Sequence, residues 1–357
     1  MDYAAAGVDT AAGDRAVELM KSAVARTHGP EVLGGAGGFA GMFDASAMLG
    51  MKRPVLTTST DGIGTKIAIA RAMGVHHTVG QDLVAMVVDD LVVTGARPLF
   101  MTDYIACGKL VPERIAEIVR GIADACAATG TALVGGETAE HPGLMAADEY
   151  DVAGAATGVV DYEEIRGPHR VHGGEVLVAL ACSGLHSNGY SLVRKLVEGM
   201  PLEAHVAELG RTLGEELLEP TRLYTKLCLD VLDDARAFAH VTGGGLAANV
   251  ARILPAGTFA IVDRAEIAPP PVFRLLKELA GAKWDAIEDA LNVGVGMVAA
   301  VRPDAASRVI ARAQVSGVAA WEIGQVFAGG AVPPNARLVS GTKGIDGGTV
   351  AMVGEYA

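Results

Sequence analysis

No stretch of this chain stays apolar for long enough to span a bilayer, although its hydrophobic content is 50% and its mean hydropathy +0.34, so the sequence reads as soluble. Basic residues are also in short supply. The 29 Lys and Arg stand against 42 Asp and Glu, and the resulting formal charge of -13 excludes a general nucleic-acid binder, whose phosphate partner calls for basic surface. Cysteine is scarce: Cys107, Cys126, Cys182 and Cys228 are far apart among small or apolar residues, which excludes a disulfide framework or a zinc motif and points to reduced thiols. Met1-Asp2-Tyr3-Ala4 lacks the basic-then-apolar order of a secretory signal, so a cytoplasmic location is expected. Two common nucleotide motifs are missing too. Gly62-Ile63-Gly64-Thr65-Lys66 has neither the spacing nor the Gly-Lys-Thr order of a Walker A loop, and no segment supplies a dinucleotide fingerprint.

What is present is organised around the stretch from Val55 to Asp103. Val55 to Thr60 reads as a strand that delivers the carboxylate of Asp61 to its tip. Gly62 and Gly64 then permit a tight turn before Thr65 and Lys66 open a helix, gathering amides, a hydroxyl and an ammonium into a candidate phosphate site. Further on, Asp82, Asp89 and Asp90 lie in an apolar helical segment. Such carboxylates must meet solvent, a cation or a hydrogen-bond donor, because a buried charge without one is expensive. The plain alternative is an N-cap at Asp82 and a wet helix face at Asp89 and Asp90.

Before this stretch, a helix over 14–25 ends at Gly29-Pro30, and the glycine-rich segment Gly34 to Gly41 suits either a linker or a loop over a ligand. After it come a strand from Arg97 to Tyr104, a helix from Pro112 and a short strand, Thr131 to Val134, running into a glycine turn at Gly135-Gly136 that presents Glu137. Glu137 is thereby a candidate to meet Asp61 or Asp90. Beyond a further strand at 152–160, a polar connection near 165–172 marks a domain boundary. The second half opens with Val176 to Leu180 and the polar turn Ser183-Gly184-Leu185-His186-Ser187-Asn188-Gly189-Tyr190. His186 there is either a proton-transfer group or a hydrogen-bonded turn residue. Thr242-Gly243-Gly244-Gly245 precedes another helix and is able to expose amides or to allow close packing. Strands and helices continue to mix to the end, which predicts an α+β fold in two domains.

From Tyr3 to about Gly330 these motifs, with Ala6-Gly7-Val8-Asp9, Gly34-Gly35-Ala36-Gly37-Gly38-Phe39 and Gly80-Gln81-Asp82-Leu83, occur in an order that resembles phosphoribosylformylglycinamidine cyclo-ligase, also called aminoimidazole ribonucleotide synthetase. The resemblance implies an N-terminal ATP-binding and dimerisation domain over 1–168, a C-terminal α/β domain over 169–345 that completes the substrate site, and a strand or tail over 346–357. It implies a homodimer whose N-terminal domains pair in a β-barrel-like interface. The implied reaction closes the imidazole ring of aminoimidazole ribonucleotide at the expense of ATP, with magnesium (Mg2+), releasing ADP and phosphate after O-phosphorylation of the formyl amide.

Residue roles follow from the same resemblance. Gly34, Gly35, Gly37 and Gly38, with Asp61, Gly62, Gly64, Thr65 and Lys66, are expected at the ATP phosphates, and Asp90 and Glu137 at magnesium. Ser187, Asn188, Thr242, Gly243, Gly244 and Gly245 are expected on the substrate side, with Lys66 and His186 in catalytic roles. Two positions depart from the family pattern: Asp89 stands where Asn is usual, and Cys107 where Gly or Thr is less surprising. The alternatives are another ATP-dependent member of the superfamily, such as a thiamine-monophosphate kinase or selenophosphate synthetase, or a nucleotide-binding regulatory protein.

Overall fold

A computed structural model describes residues 10–34, 38–341 and 347–357, and the chain divides into two compact units, Met1–Val92 with Ala96–Glu164 and Val93–Gly95 with Ile165–Ala357. In the first unit the elements run α1 (Thr10–Ala25), β1 (Pro54–Gly62), α2 (Ile67–Met73), α3 (Thr78–Val92), β2 (Arg97–Cys107), α4 (Pro112–Thr129), β3 (Ala132–Glu140) and β4 (Tyr150–Asp161). The strands form one sheet in the order β1-β4-β2-β3, antiparallel except for the β2–β3 pair.

Helix α3 is apolar almost all round, the pattern of a helix enclosed on every side. Val79, Leu83, Val84, Val87, Val88 and Val92 are completely buried where it packs between α4 and the strands β1 and β4. Helix α4 begins on Pro112, whose missing N–H costs nothing in the first turn, and stops where Gly130 takes a left-handed φ of 74°.

The glycine turn expected after Val134 is not there. Strand β3 continues through Gly135 and Gly136 to Glu140, because parallel pairing with β2 shifts register at Val134 and resumes from Gly135 onward. Glu137 therefore lies within a strand, opposite Tyr104, and not at a strand tip.

The second unit runs β5 (Val176–Ala181), α5 (Tyr190–Leu196), β6 (Ala235–His240), α6 (Gly245–Arg252), β7 (Phe259–Asp263), α7 (Pro271–Ala280), β8 (Val295–Val301), α8 (Pro303–Val315), β9 (Ala320–Phe327), β10 (Arg337–Ser340) and β11 (Thr349–Val353). Among the described residues these strands make a seven-stranded sheet in the order β6-β8-β5-β9-β7-β11-β10. Strand β8 is buried along its full length, as its unbroken run of apolar and small residues requires. Its Val298 belongs to one core with Leu177, Val250, Leu254 and Val350. Residues 349–353 pair in parallel with β7, so this part of the chain is an inner strand of the second unit. Among the described residues no helix is long and apolar enough to cross a membrane.

Candidate active site

Sheet register decides which acidic groups meet in the first unit. One rung crosses all four strands through Asp61, Gly154, Asp103 and Gly136, and the next through Gly62, Ala153, Tyr104 and Glu137. With neighbouring strands about 4.8 Å apart, Glu137 stands roughly 14 Å from Gly62 across the sheet. The anticipated meeting of Glu137 with Asp61 is therefore absent within this unit. Among the described residues no three His, Cys, Asp or Glu side chains converge as a metal cage.

A cavity of about 630 Å³ lies between α1, α4, the segment 38–41 and the strands β2 and β3. Val17, Met20 and Leu133 give it an apolar wall, and Asp103, Glu137 and Thr138 give it polar groups. Gly38 and Glu137 are thus brought to one cavity. The Asp61–Lys66 turn and Asp90 do not line it, and Gly35 and Gly37 lie outside the described residues. Gly34 has a left-handed φ of 87°.

Asp103 was not among the residues that sequence reasoning placed in the site. Its Oδ2 is buried without a hydrogen-bond partner among the described residues, although the residue as a whole keeps some exposure. Burial pushes its carboxyl up to about 7. It also adds to the burial that raises the Cys126 thiol. Its only mark in the sequence is a carboxylate within a largely apolar strand.

At the other end of the sheet, Asp61, Gly64 and Thr65 are exposed, and Asp61 Oδ1 accepts the Gly62 N–H at 2.7 Å. Lys66 behaves differently. Its side chain has no exposure, and its Nζ lies 2.9 Å from Oδ1 and 2.8 Å from Oδ2 of Asp82, which is equally enclosed. The direct phosphate contact anticipated for Lys66 does not fit a wholly enclosed ammonium. It anchors the turn from beneath, and Asp82 has met the cation its buried position requires. On α3, Asp89 is also fully enclosed, while Asp90 keeps partial exposure.

The residues expected on the substrate side gather in the second unit. A methyl group built on Gly243 would lie 3.8 Å from Asn188 Oδ1, so the turns 183–189 and 242–245 are neighbours. Ser183 Oγ donates to the Pro220 carbonyl at 2.6 Å, and Asn249 Nδ2 donates to the carbonyls of Thr242 and Gly245 at 3.2 and 2.8 Å. His186 is only 1% exposed at a φ of 61°, and its Nε2 accepts the Ser183 N–H at 3.2 Å. An enclosed ring whose Nε2 accepts a backbone N–H three residues earlier is the arrangement of a hydrogen-bonded turn histidine.

Arg222 is the second residue that sequence reasoning passed over. It lies between Pro220, bound by Ser183, and Tyr224, whose hydroxyl donates to the Ala181 carbonyl at 2.8 Å. It is half-buried, and its Nε has no hydrogen-bond partner among the described residues. Its positive charge also acts on the neighbouring Cys182, whose thiol burial pushes up to about 12.

The AIR synthase related protein family matches the chain twice, by its N-terminal domain over residues 43–160 and by its C-terminal domain over 173–333. The phosphoribosylformylglycinamidine cyclo-ligase of Geobacillus sp. (strain WCH70) is 48% identical over 342 residues, covering 92% of this chain and 99% of that protein. The enzyme of the same name from Shouchella clausii (strain KSM-K16) is 47% identical over 329 residues, covering 91% and 95%. Among solved structures, thiamine-monophosphate kinase from Stenotrophomonas maltophilia K279a superposes with a TM-score of 0.67 at 23% identity, covering 95% of this chain and 96% of that one. E. coli HypE superposes at 0.63 with 20% identity, covering 95% of each. These two likenesses are likenesses of fold.

Proposed function

The chain belongs to the phosphoribosylformylglycinamidine cyclo-ligase family, and from that premise we infer that it catalyses the ATP-dependent cyclisation of 2-formamido-N1-(5-phospho-D-ribosyl)acetamidine to 5-amino-1-(5-phospho-D-ribosyl)imidazole, a step of purine biosynthesis that releases ADP and phosphate. The observation that carries the reading is 48% identity maintained over 92% of this chain and 99% of a relative of that name. A coupled measurement of ADP and imidazole product tests it.

The chemical difficulty is the formyl amide oxygen, a poor leaving group. Phosphorylation of that oxygen by ATP makes it a good one, and attack by the amidine nitrogen then closes the ring and expels phosphate. The protein's part is to align two successive nucleophilic steps and to neutralise charge. In the proposed arrangement the cavity of about 630 Å³, within the usual range for small-ligand sites, takes the base of ATP. Asp103, protonated for a substantial fraction of the time near neutrality, supplies a donor and an acceptor there. The segment Gly34–Gly38 and the exposed Asp61–Thr65 turn attend the phosphates, with Lys66 fixing the turn through Asp82. Ser187, Asn188 and Thr242–Gly245 hold the substrate, and Arg222 pairs with its ribosyl phosphate, for which a guanidinium offers a bidentate fork.

Magnesium is carried mainly by nucleotide phosphates and needs only one or two protein carboxylates, so the lack of a three-carboxylate cage among the described residues fits it. Asp90, partly exposed, and Glu137, exposed, are the proposed ligands. When bound, the ion neutralises charge developing on the transferring phosphoryl group.

The homodimer is proposed on the sheet of the first unit. Its helices α3 and α4 cover one face, while Leu56 is 62% and Tyr104 41% exposed. Strand β1 is also a nine-residue edge strand, with a partner on one side only among the described residues. A second copy would cover both features. A cytoplasmic enzyme without membrane or nucleic-acid partners agrees with the acidic charge and the scattered thiols, all four free in the structure.

A further inference from the structure

Five residues of the second unit, Glu288 to Asn292, touch both of the turns assigned above to the substrate. The Glu288 carbonyl oxygen would lie 1.7 Å from a methyl group built on Gly245, whose φ is +71°. A methyl group on Gly189, at φ +75°, would lie 2.4 Å from Leu291 Cδ2 and 2.8 Å from the Ala290 carbonyl oxygen. Asn292 Nδ2 donates to the Gly184 carbonyl at 2.9 Å, and its Oδ1 accepts the Gly294 N–H at 2.9 Å. Between these two residues Val293 takes a φ of 47°, which a β-branched side chain adopts only when its surroundings enforce it.

What holds this short segment in place is an ionic cluster around Glu288, itself 5% exposed. Arg264 donates to both of its oxygens, Nε to Oε2 at 2.9 Å and Nη2 to Oε1 at 2.5 Å. Arg337 adds a bond to Oε1 at 2.5 Å and another to Asp289 at 2.5 Å, and the Tyr356 hydroxyl donates to Oε2 at 2.6 Å. Each carboxylate oxygen therefore has two donors. Burial works to raise the pKa of Glu288, and the bonds from Arg264 and Tyr356 overcome it and hold the group below its ordinary value. Such a cluster is a weak source of net stability, and here its four donors approach the Glu288 carboxylate from three separate parts of the chain.

We propose that the Arg264–Glu288–Arg337–Tyr356 cluster is a positioning device for the substrate site: it pins residues 288–292, and these set the spacing of the 183–189 and 242–245 turns. The proposal rests on the reading that those turns hold the phosphoribosyl substrate. None of the four cluster residues is assigned a contact with substrate. Their effect passes through backbone contacts at Gly245, Gly189 and Gly184.

Hydrogen exchange followed by mass spectrometry on the full chain tests it, with Glu288→Gln and Tyr356→Phe compared with the parent protein. Peptides covering 183–190 and 242–247 are expected to exchange faster by about fivefold, the share of one charge-assisted hydrogen bond felt at the turns, while a peptide from β8 is unchanged. KM for the phosphoribosyl substrate rises by a similar factor and KM for ATP does not move. Tyr356→Phe removes a single hydroxyl, so it carries the test if Glu288→Gln does not fold. Unchanged exchange in either turn overturns the proposal, and so does equal acceleration throughout the second unit, which is the mark of a general brace. Substrate added to the parent protein separates the two levels: absence of protection at both turns contradicts the assigned substrate site, whereas protection there with unmoved exchange in the variants contradicts the positioning device.

Discussion

Asp103 and Gly136 face each other across parallel neighbouring strands so closely that a methyl group built on Gly136 would stand 1.7 Å from Oδ1 of Asp103. The absent side chain makes room for the carboxyl beside the cavity in which base recognition is proposed. A side chain at 136 would displace that carboxyl, so Gly136 has a steric reason to be there, whereas a methyl group on Gly135 would meet only Thr102 Cγ2 at 4.0 Å.

The same carboxyl predicts a pH dependence. Its folded-state value of about 7 lies above the ordinary 3.8, because burial penalises its charge. Between these two values the folded chain keeps a proton that the unfolded chain has released, so Asp103 subtracts stability progressively as pH rises through this window. Asp103→Asn lacks that loss. Denaturant unfolding at about pH 5 and about pH 8 should show the variant gaining on the parent by roughly 2–4 kcal/mol at the higher pH, since each pH unit crossed inside the window costs the parent about 1.4 kcal/mol. An identical change with pH in both proteins contradicts the assignment.

Lys66→Met leaves the Asp82 carboxylate enclosed without its cation. The expected result is destabilisation by about 3–5 kcal/mol, the range for breaking a buried pair, and Lys66→Met combined with Asp82→Leu should recover much of it. Equilibrium unfolding of the three proteins measures this. A stable Lys66→Met protein that has lost only its ATP dependence would restore a direct phosphate contact.

For magnesium, Asp90 and Asp89 predict opposite outcomes. Adjacent helical residues point about 100° apart, and Asp90 is the one that retains exposure. Asp90→Asn should shift the magnesium requirement upward and cut turnover by about a hundredfold, whereas Asp89→Asn, which restores the more usual residue, should keep activity. Magnesium titrations of turnover in both folded variants decide it. Severe loss confined to Asp89→Asn reverses the choice, and normal behaviour of both removes α3 from the metal site.

Arg222→Met should raise KM for the phosphoribosyl substrate by roughly a hundredfold, as expected for losing a charge-assisted contact of about 2–3 kcal/mol, with KM for ATP little changed. Steady-state kinetics with each substrate varied in turn provides the test. An unaltered KM for the phosphoribosyl substrate removes Arg222 from the site.

Legibility in the sequence followed the range of the interactions. Periodicity located α3, α4 and most strands, because one buried face writes its spacing locally: α4 begins at the anticipated Pro112, and β5 begins at the anticipated Val176. The Gly135-Gly136 pair misled for the same reason. Its local signal is a turn, and pairing with β2, set by residues more than thirty positions away, overrides it. Lys66 and His186 were marked by residue chemistry, but their burial depends on neighbours such as Asp82 and Tyr224 that only the fold supplies. Asp103 and Arg222 were hidden for the converse reason. Each looks ordinary in sequence and acquires its character from missing partners in space.

Whether the chain closes the imidazole ring is decided by incubating the purified protein with phosphoribosylformylglycinamidine, ATP and magnesium and following ADP and aminoimidazole ribonucleotide in the same samples. The two products are expected to appear together, one ADP for each imidazole formed, and neither should accumulate when the phosphoribosyl substrate is left out. Sustained ADP release without the imidazole product, from folded protein in the presence of all three components, would contradict the assigned reaction.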